Sequence, residues 1–119
     1  MTTNHEFRAL ALSFPEISES AHFEKISFRV GKKIVATLNE KENRACVKLN
    51  EIDQHVFASF DRTAIYPVPN KWGKQGWTFI ELSKVNPDML TDALTTAFRE
   101  VAPKRLSKSL SQSAGEELK

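Results

Sequence analysis

The segment Lys71-Trp72-Gly73-Lys74-Gln75-Gly76-Trp77 sets two indoles around two glycines, with two ammonium groups beside them. Indoles stack on nucleobases and adjacent cations pair with phosphates, each stacked base contributing about 1–3 kcal/mol. The same residues have a structural use, because tryptophans bury large apolar surface and glycines permit a tight turn into a following strand. Trp77, inside a predicted strand, fits the structural use better. Trp72, in the predicted loop, fits either.

A second group of cations falls in the strands. Arg29, Lys33, Arg44 and Lys48 alternate with apolar residues, so one reading projects them from the exposed face of a sheet, with Lys32 at the adjoining turn. A basic sheet face meets phosphates in a sequence-independent, salt-sensitive way. A one-sided sheet also needs polar side chains on its solvent face whatever its function. Lys104, Arg105 and Lys108 follow the last predicted helix, where the helix dipole favours cations without any ligand.

Other chemistries find less support. His5, His22 and His55 show no metal-ligand spacing with one another or with Cys46, so neither a metal nor a cofactor is expected. His22 and Phe23 precede the first predicted strand near Lys25, which suggests a small polar site at a sheet end. Cys46 alternates with core positions, so it is expected to be exposed and able to titrate, with no adjacent base to make it a nucleophile. Glu16, Glu19 and Glu24 fix no carboxylate pair, and Gly73 and Gly76 follow no strand-to-helix transition of the P-loop kind. No catalytic residue is assigned.

These residues must be positioned by a small set of elements. Phe7, Leu10, Ala11 and Phe14 recur at helical spacing, Thr3 and Glu6 fit a capping box, and Pro15 ends the helix, leaving residues 15–21 as a loop. Ile26, Phe28 and Val30, then Ile34, Ala36 and Leu38, then Ala45, Val47 and Leu49 alternate as the inward sets of three strands. Asn50 caps a second helix with Ile52, Val56, Phe57 and Phe60 on a common face. Residues 63–68 form an edge strand broken by Pro67, and residues 76–82 form a further strand. Asn86 and Pro87 open a last helix with Leu90, Ala93, Leu94, Ala97, Phe98 and Val101 on one face. The order αβββαββα predicts an α+β, two-layer α/β sandwich, an antiparallel sheet with helices on one face.

A chain of 119 residues with 40% hydrophobic content supports one core, so residues 1–106 are expected to form a single domain. Residues 107–119, with only Leu110 and Leu118 as large apolar residues, are expected to be a disordered tail. The net charge of +2 is only mildly basic, so an anionic partner requires cations clustered in space. No segment has the run of about 18 apolar residues of a membrane span. The single cysteine and the lack of a signal-like N-terminus lead to a cytoplasmic expectation.

His22-Phe23, Ser27-Phe28-Arg29-Val30-Gly31-Lys32-Lys33-Ile34, Trp72-Gly73-Lys74-Gln75-Gly76-Trp77-Thr78 and Ala102-Pro103-Lys104-Arg105-Leu106 together resemble the MmcQ/YjbR family over roughly residues 7–106. The resemblance implies a YjbR-like α+β fold and a DNA-binding role. The resulting expectation is a non-catalytic domain that binds nucleic acid weakly through phosphates, using Arg29, Lys32, Lys33, Arg44, Lys48, Lys71, Trp72 and Lys74. The rival expectation is a protein-interaction or small-ligand module using the same face or a groove beside Trp72.

Overall fold

The computed structural model describes residues 2–22 and 24–106, and the expected tail lies outside them. The elements run α1 (Asn4–Leu12), β1 (Ile17–His22), β2 (Lys25–Val30), β3 (Lys33–Asn39), β4 (Arg44–Lys48), α2 (Glu51–Phe60), β5 (Ile65–Pro67), α3 (Lys71–Lys74), β6 (Trp77–Glu81) and α4 (Pro87–Val101). The strands form one antiparallel sheet in the order β1-β2-β3-β4-β6-β5. The α+β class and the packing of helices on an antiparallel sheet agree with the sequence.

The local rules that predicted the helix starts are realised. Thr3 and Glu6 form the reciprocal capping box, and Asn50 and Asn86 accept hydrogen bonds from the first-turn backbone of α2 and α4. Along α4, Leu90, Ala93, Leu94, Ala97 and Phe98 are buried against β3 and β4. The core lies between this helix, α1 and the inner sheet face, where Phe7 meets Phe28 edge-on with ring centroids 5.7 Å apart.

Four local features differ from the sequence reading. Residues 17–21, expected as loop, pair with β2 within strand β1, although Ser18, Glu19 and Ser20 carry no apolar alternation. An edge strand needs only backbone pairing and one covered side, and Glu19 gains an ion pair with Arg8 of α1. The expected loop before β6 contains the single-turn helix α3.

The third difference is a β-bulge. Phe28 pairs with Ala36 but Arg29 pairs with Ile34, so Val35 is an extra residue in β3. Ile34 therefore leaves the expected inward set and joins the outer face, while Lys33 falls opposite buried Val30, on the helical side of the ladder. The fourth concerns α2. Ile52, Val56 and Phe60 were expected on a shared face with Phe57; only Phe57 packs on the core, and Ile52 and Phe60 are 76% and 67% exposed. The orientation of α2 follows from Gln54, which is buried and whose Nε2 reaches Gly73 O at 2.9 Å, Thr78 Oγ1 at 3.1 Å and Trp77 O at 3.2 Å. Leaving those carbonyls unpaired would cost about 1–3 kcal/mol, which competes with burial of an aliphatic side chain.

Candidate functional site

The strand registers divide the sheet into two chemically distinct faces. Ala45, Val47, Thr78 and Ile80 point to the helices, whereas Arg44, Cys46 and Lys48 pair across to Glu81, Phe79 and Trp77 on the outer face. A cleft of about 390 Å³ opens on that outer face. Its floor is Thr37, Cys46 and Phe79, its near end carries Ile34, Trp72 and Trp77, and Lys25, Asn39 and Arg44 stand at its far end.

The wall bearing Trp72 is positioned by two glycines and one glutamine. A Cβ at Gly73 would lie 1.9 Å from Val68 O, so only glycine lets α3 seat on the end of β5. Gly76 has φ +105°, and a Cβ there would lie 1.7 Å from Leu49 O. Gln54 and Thr78 tie the remaining backbone together, Thr78 Oγ1 donating to Gly76 O at 3.0 Å. Asn70 caps α3 by accepting from Trp72 N at 2.8 Å. Trp72 is thereby held at the cleft with half of its surface exposed.

The two ends of the outer face differ in electrostatics. At the far end, the Arg44 guanidinium lies 4.1 Å from the centre of the Phe79 ring and pairs with Glu42 at 2.6 Å and Glu81 at 3.8 Å. Burial lowers the Arg44 pKa, but Tyr66, Glu42 and Glu81 outweigh that effect and it ends raised. Tyr66 donates to Glu81, and its own pKa is raised by burial and by that carboxylate. This end is a self-compensated network. Cys46 is half-buried rather than exposed, and burial pushes its thiol up to about 11 against the pull of Lys25 and Arg44. This corrects the expectation of an exposed thiol that titrates in its ordinary range.

The near end gathers cations. The antiparallel order brings the end of β2, the β2–β3 turn, the end of β4 and α3 to one edge, so Arg29, Lys32, Lys48 and Lys71 share it, while Lys74 lines a separate hollow with Glu51 and Gln54 of α2. Lys48 Nζ donates to Gln75 O, which links β4 to the α3 segment, and Arg29 Nε donates to Ser27 Oγ at 3.1 Å. Of the residues expected to form one basic surface, Arg44 stands apart at the far end, and Lys33 is exposed beside the turn but on the helical side. Arg105 is held by Glu16, just before β1, through contacts of 2.6 and 3.0 Å, and Lys108 lies outside the described residues.

Sequence reasoning missed Ile34, Thr37, Asn39, Val68 and Asn70 as cleft residues. The bulge hid Ile34, Asn70 lay in the predicted loop, and Asn39 fell at a polar turn, where its Oδ1 accepts from Glu42 N at 3.2 Å. The expected polar site around His22 and Phe23 is only partly described: Lys25, the register partner of His22, lines the cleft, and Phe23 lies outside the described residues. Among the described residues no group of three or more His, Cys, Asp and Glu is placed to hold a metal ion, and no helix is long and apolar enough to cross a membrane.

Comparison with known proteins gives a fold and a family. The fold is similar to the crystal structure of Deinococcus radiodurans protein DR2400, which carries a DUF419 domain, with a TM-score of 0.75 and 20% sequence identity over 97% of this chain and 89% of that one. No curated protein matches the chain. The YjbR family model matches residues 12–100, a span that runs from the end of α1 to the last turn of α4 and contains every cleft residue, and the chain therefore belongs to the YjbR family.

Proposed function

We propose that this YjbR domain is a non-catalytic nucleic-acid-binding module that uses the helix-free face of its sheet. The observation that carries the reading is the gathering of Arg29, Lys32, Lys48 and Lys71 at one end of that face, beside the half-exposed Trp72. Cations at the rim neutralise phosphates, and Lys33 adds to them at the turn. The cleft supplies apolar contact, with Arg44 contributing through the ring it covers more than through its compensated charge. The neutral Cys46 thiol offers no thiolate nucleophile, consistent with a binding role.

The test is fluorescence anisotropy of a labelled oligonucleotide across a salt series. Four phosphate contacts on a single strand predict that affinity falls by roughly 50-fold between 50 and 200 mM salt. The double variant Lys32→Glu/Lys33→Glu should remove most of the binding. Affinity that ignores salt, or a double variant that binds as the parent does, contradicts the reading.

A separate observation favours a protein contact as a second activity of the same domain. Ile52, Val56 and Phe60 form an exposed apolar stripe on α2, beside the edge strand β5, where Tyr66 and Pro67 complete a groove. Sedimentation of the parent against Ile52→Lys/Phe60→Lys tests it. Self-association or partner binding that the double variant loses supports the contact, and identical behaviour of the two proteins removes it.

A further inference from the structure

We infer that the outer-face cleft receives one unpaired nucleotide, so that the domain prefers single-stranded nucleic acid to duplex. The inference rests on the reading of that face as a nucleic-acid surface and adds which form of nucleic acid fits it.

Consider first what the cleft exposes. Arg44 covers the Phe79 ring, so the indoles of Trp72 and Trp77 are the aromatic surfaces left for a ligand. A base inside a duplex has both faces occupied by its neighbours in the stack, whereas an unpaired base has a face to offer an indole. The cleft volume of about 390 Å³ falls at the lower end of the roughly 300–1,000 Å³ usual for ligand pockets. That is room for a nucleotide unit and excludes a double helix.

The polar groups agree with this occupant. Asn39 and Asn70 each engage Oδ1 in a backbone cap, which leaves the amide NH₂ as the group each can offer a ligand. Lys25 is a donor only, and Thr37 can donate its hydroxyl proton. The lining is therefore rich in donors and matches the carbonyl and ring-nitrogen acceptors on a base edge that pairing would otherwise occupy. Charge sets the direction in which the nucleotide lies. The far end is compensated by Glu42 and Glu81, and the near rim is cationic, so the base enters the cleft while its phosphates remain at Lys32 and Lys71.

The chain has two tryptophans and both line the cleft, so intrinsic fluorescence reports on this site alone. The experiment titrates the full chain with an eight-nucleotide thymidine strand and with a duplex of equal phosphate number, following tryptophan quenching and, for variants, anisotropy of the labelled nucleic acids. The strand should quench the indoles and bind at least about tenfold tighter than the duplex. Trp72→Ala should lose about 5- to 150-fold in strand affinity, the range for one stacked base, and leave duplex affinity within about twofold. Trp72→Phe should recover most of the loss, which a merely structural tryptophan at a half-exposed site would not produce. Equal or tighter duplex binding, or a Trp72→Ala variant with unchanged strand affinity, overturns the inference while salt-sensitive binding lost in Lys32→Glu/Lys33→Glu would leave the outer-face reading standing. Absence of binding by either nucleic acid overturns both.

Discussion

The outer-face cleft and the α2 stripe are both apolar surfaces open to solvent, yet their surroundings assign them different work. The cleft is concave, sits on paired strands, and mixes indoles with amide and ammonium donors. The stripe stands on one helix at the sheet margin, borders a groove with Tyr66 and Pro67, and has Glu51 and Asp53 in its first turn. Exposed apolar area says that something covers it. The polar groups beside it say what: donors and cations fit an acceptor-rich anion, and an apolar helix face flanked by carboxylates fits another protein surface.

The comparison breaks most directly where the cleft wall is built. Gly76→Ala places a methyl group against Leu49 O in a backbone conformation that L residues rarely adopt, so unfolding in urea should show a loss of about 3 kcal/mol or more. Gln54→Leu leaves the carbonyls of Gly73 and Trp77 without their buried donor. Its expected cost is about 1–3 kcal/mol, with nucleic-acid affinity falling as α3 loosens.

Cys46 sharpens the account of the cleft floor through pH. Burial raises its pKa to about 11, so the folded protein holds this proton where the unfolded chain has lost it. Its stability contribution is therefore complete below the ordinary thiol range and disappears as pH rises through about 11. Relative to Cys46→Ala, the parent should lose about 2–3 kcal/mol between pH 8 and pH 11, measured as paired denaturation curves that cancel the lysine and tyrosine titrations. Paired curves that do not converge differently at high pH would mean the thiol is more open than the cleft geometry requires. The smallest effect belongs to the stripe: Ile52→Lys and Phe60→Lys should each shift stability by less than about 0.5 kcal/mol, since neither side chain is packed.

These contrasts also mark what the sequence could reveal. Capping residues at Thr3, Asn50 and Asn86 act within one turn of themselves, and the period of α4 reflects a single continuous burial surface, so both were legible. The orientation of α2 was not, because Gln54 acquires its partners from residues 19 to 24 positions away and overrides an apolar periodicity. Ile34 was misplaced for a related reason. Two-residue alternation carries no sign of a bulge, and the extra residue Val35 reverses the facing of everything before it in β3. The cationic near rim was half legible: the strand alternation found Arg29 and Lys48 and the loop reading found Lys71, but only the strand order brings these to one edge.

The most direct test of the central claim is an amide NMR titration with a short single strand at low and near-physiological salt. Salt-sensitive shifts at Arg29, Lys32, Thr37, Cys46, Lys71 to Lys74 and Trp77, with the amides of α2 unmoved, are what an outer-face nucleic-acid site predicts. Shifts confined to residues 51–60, or none at either salt, would contradict it.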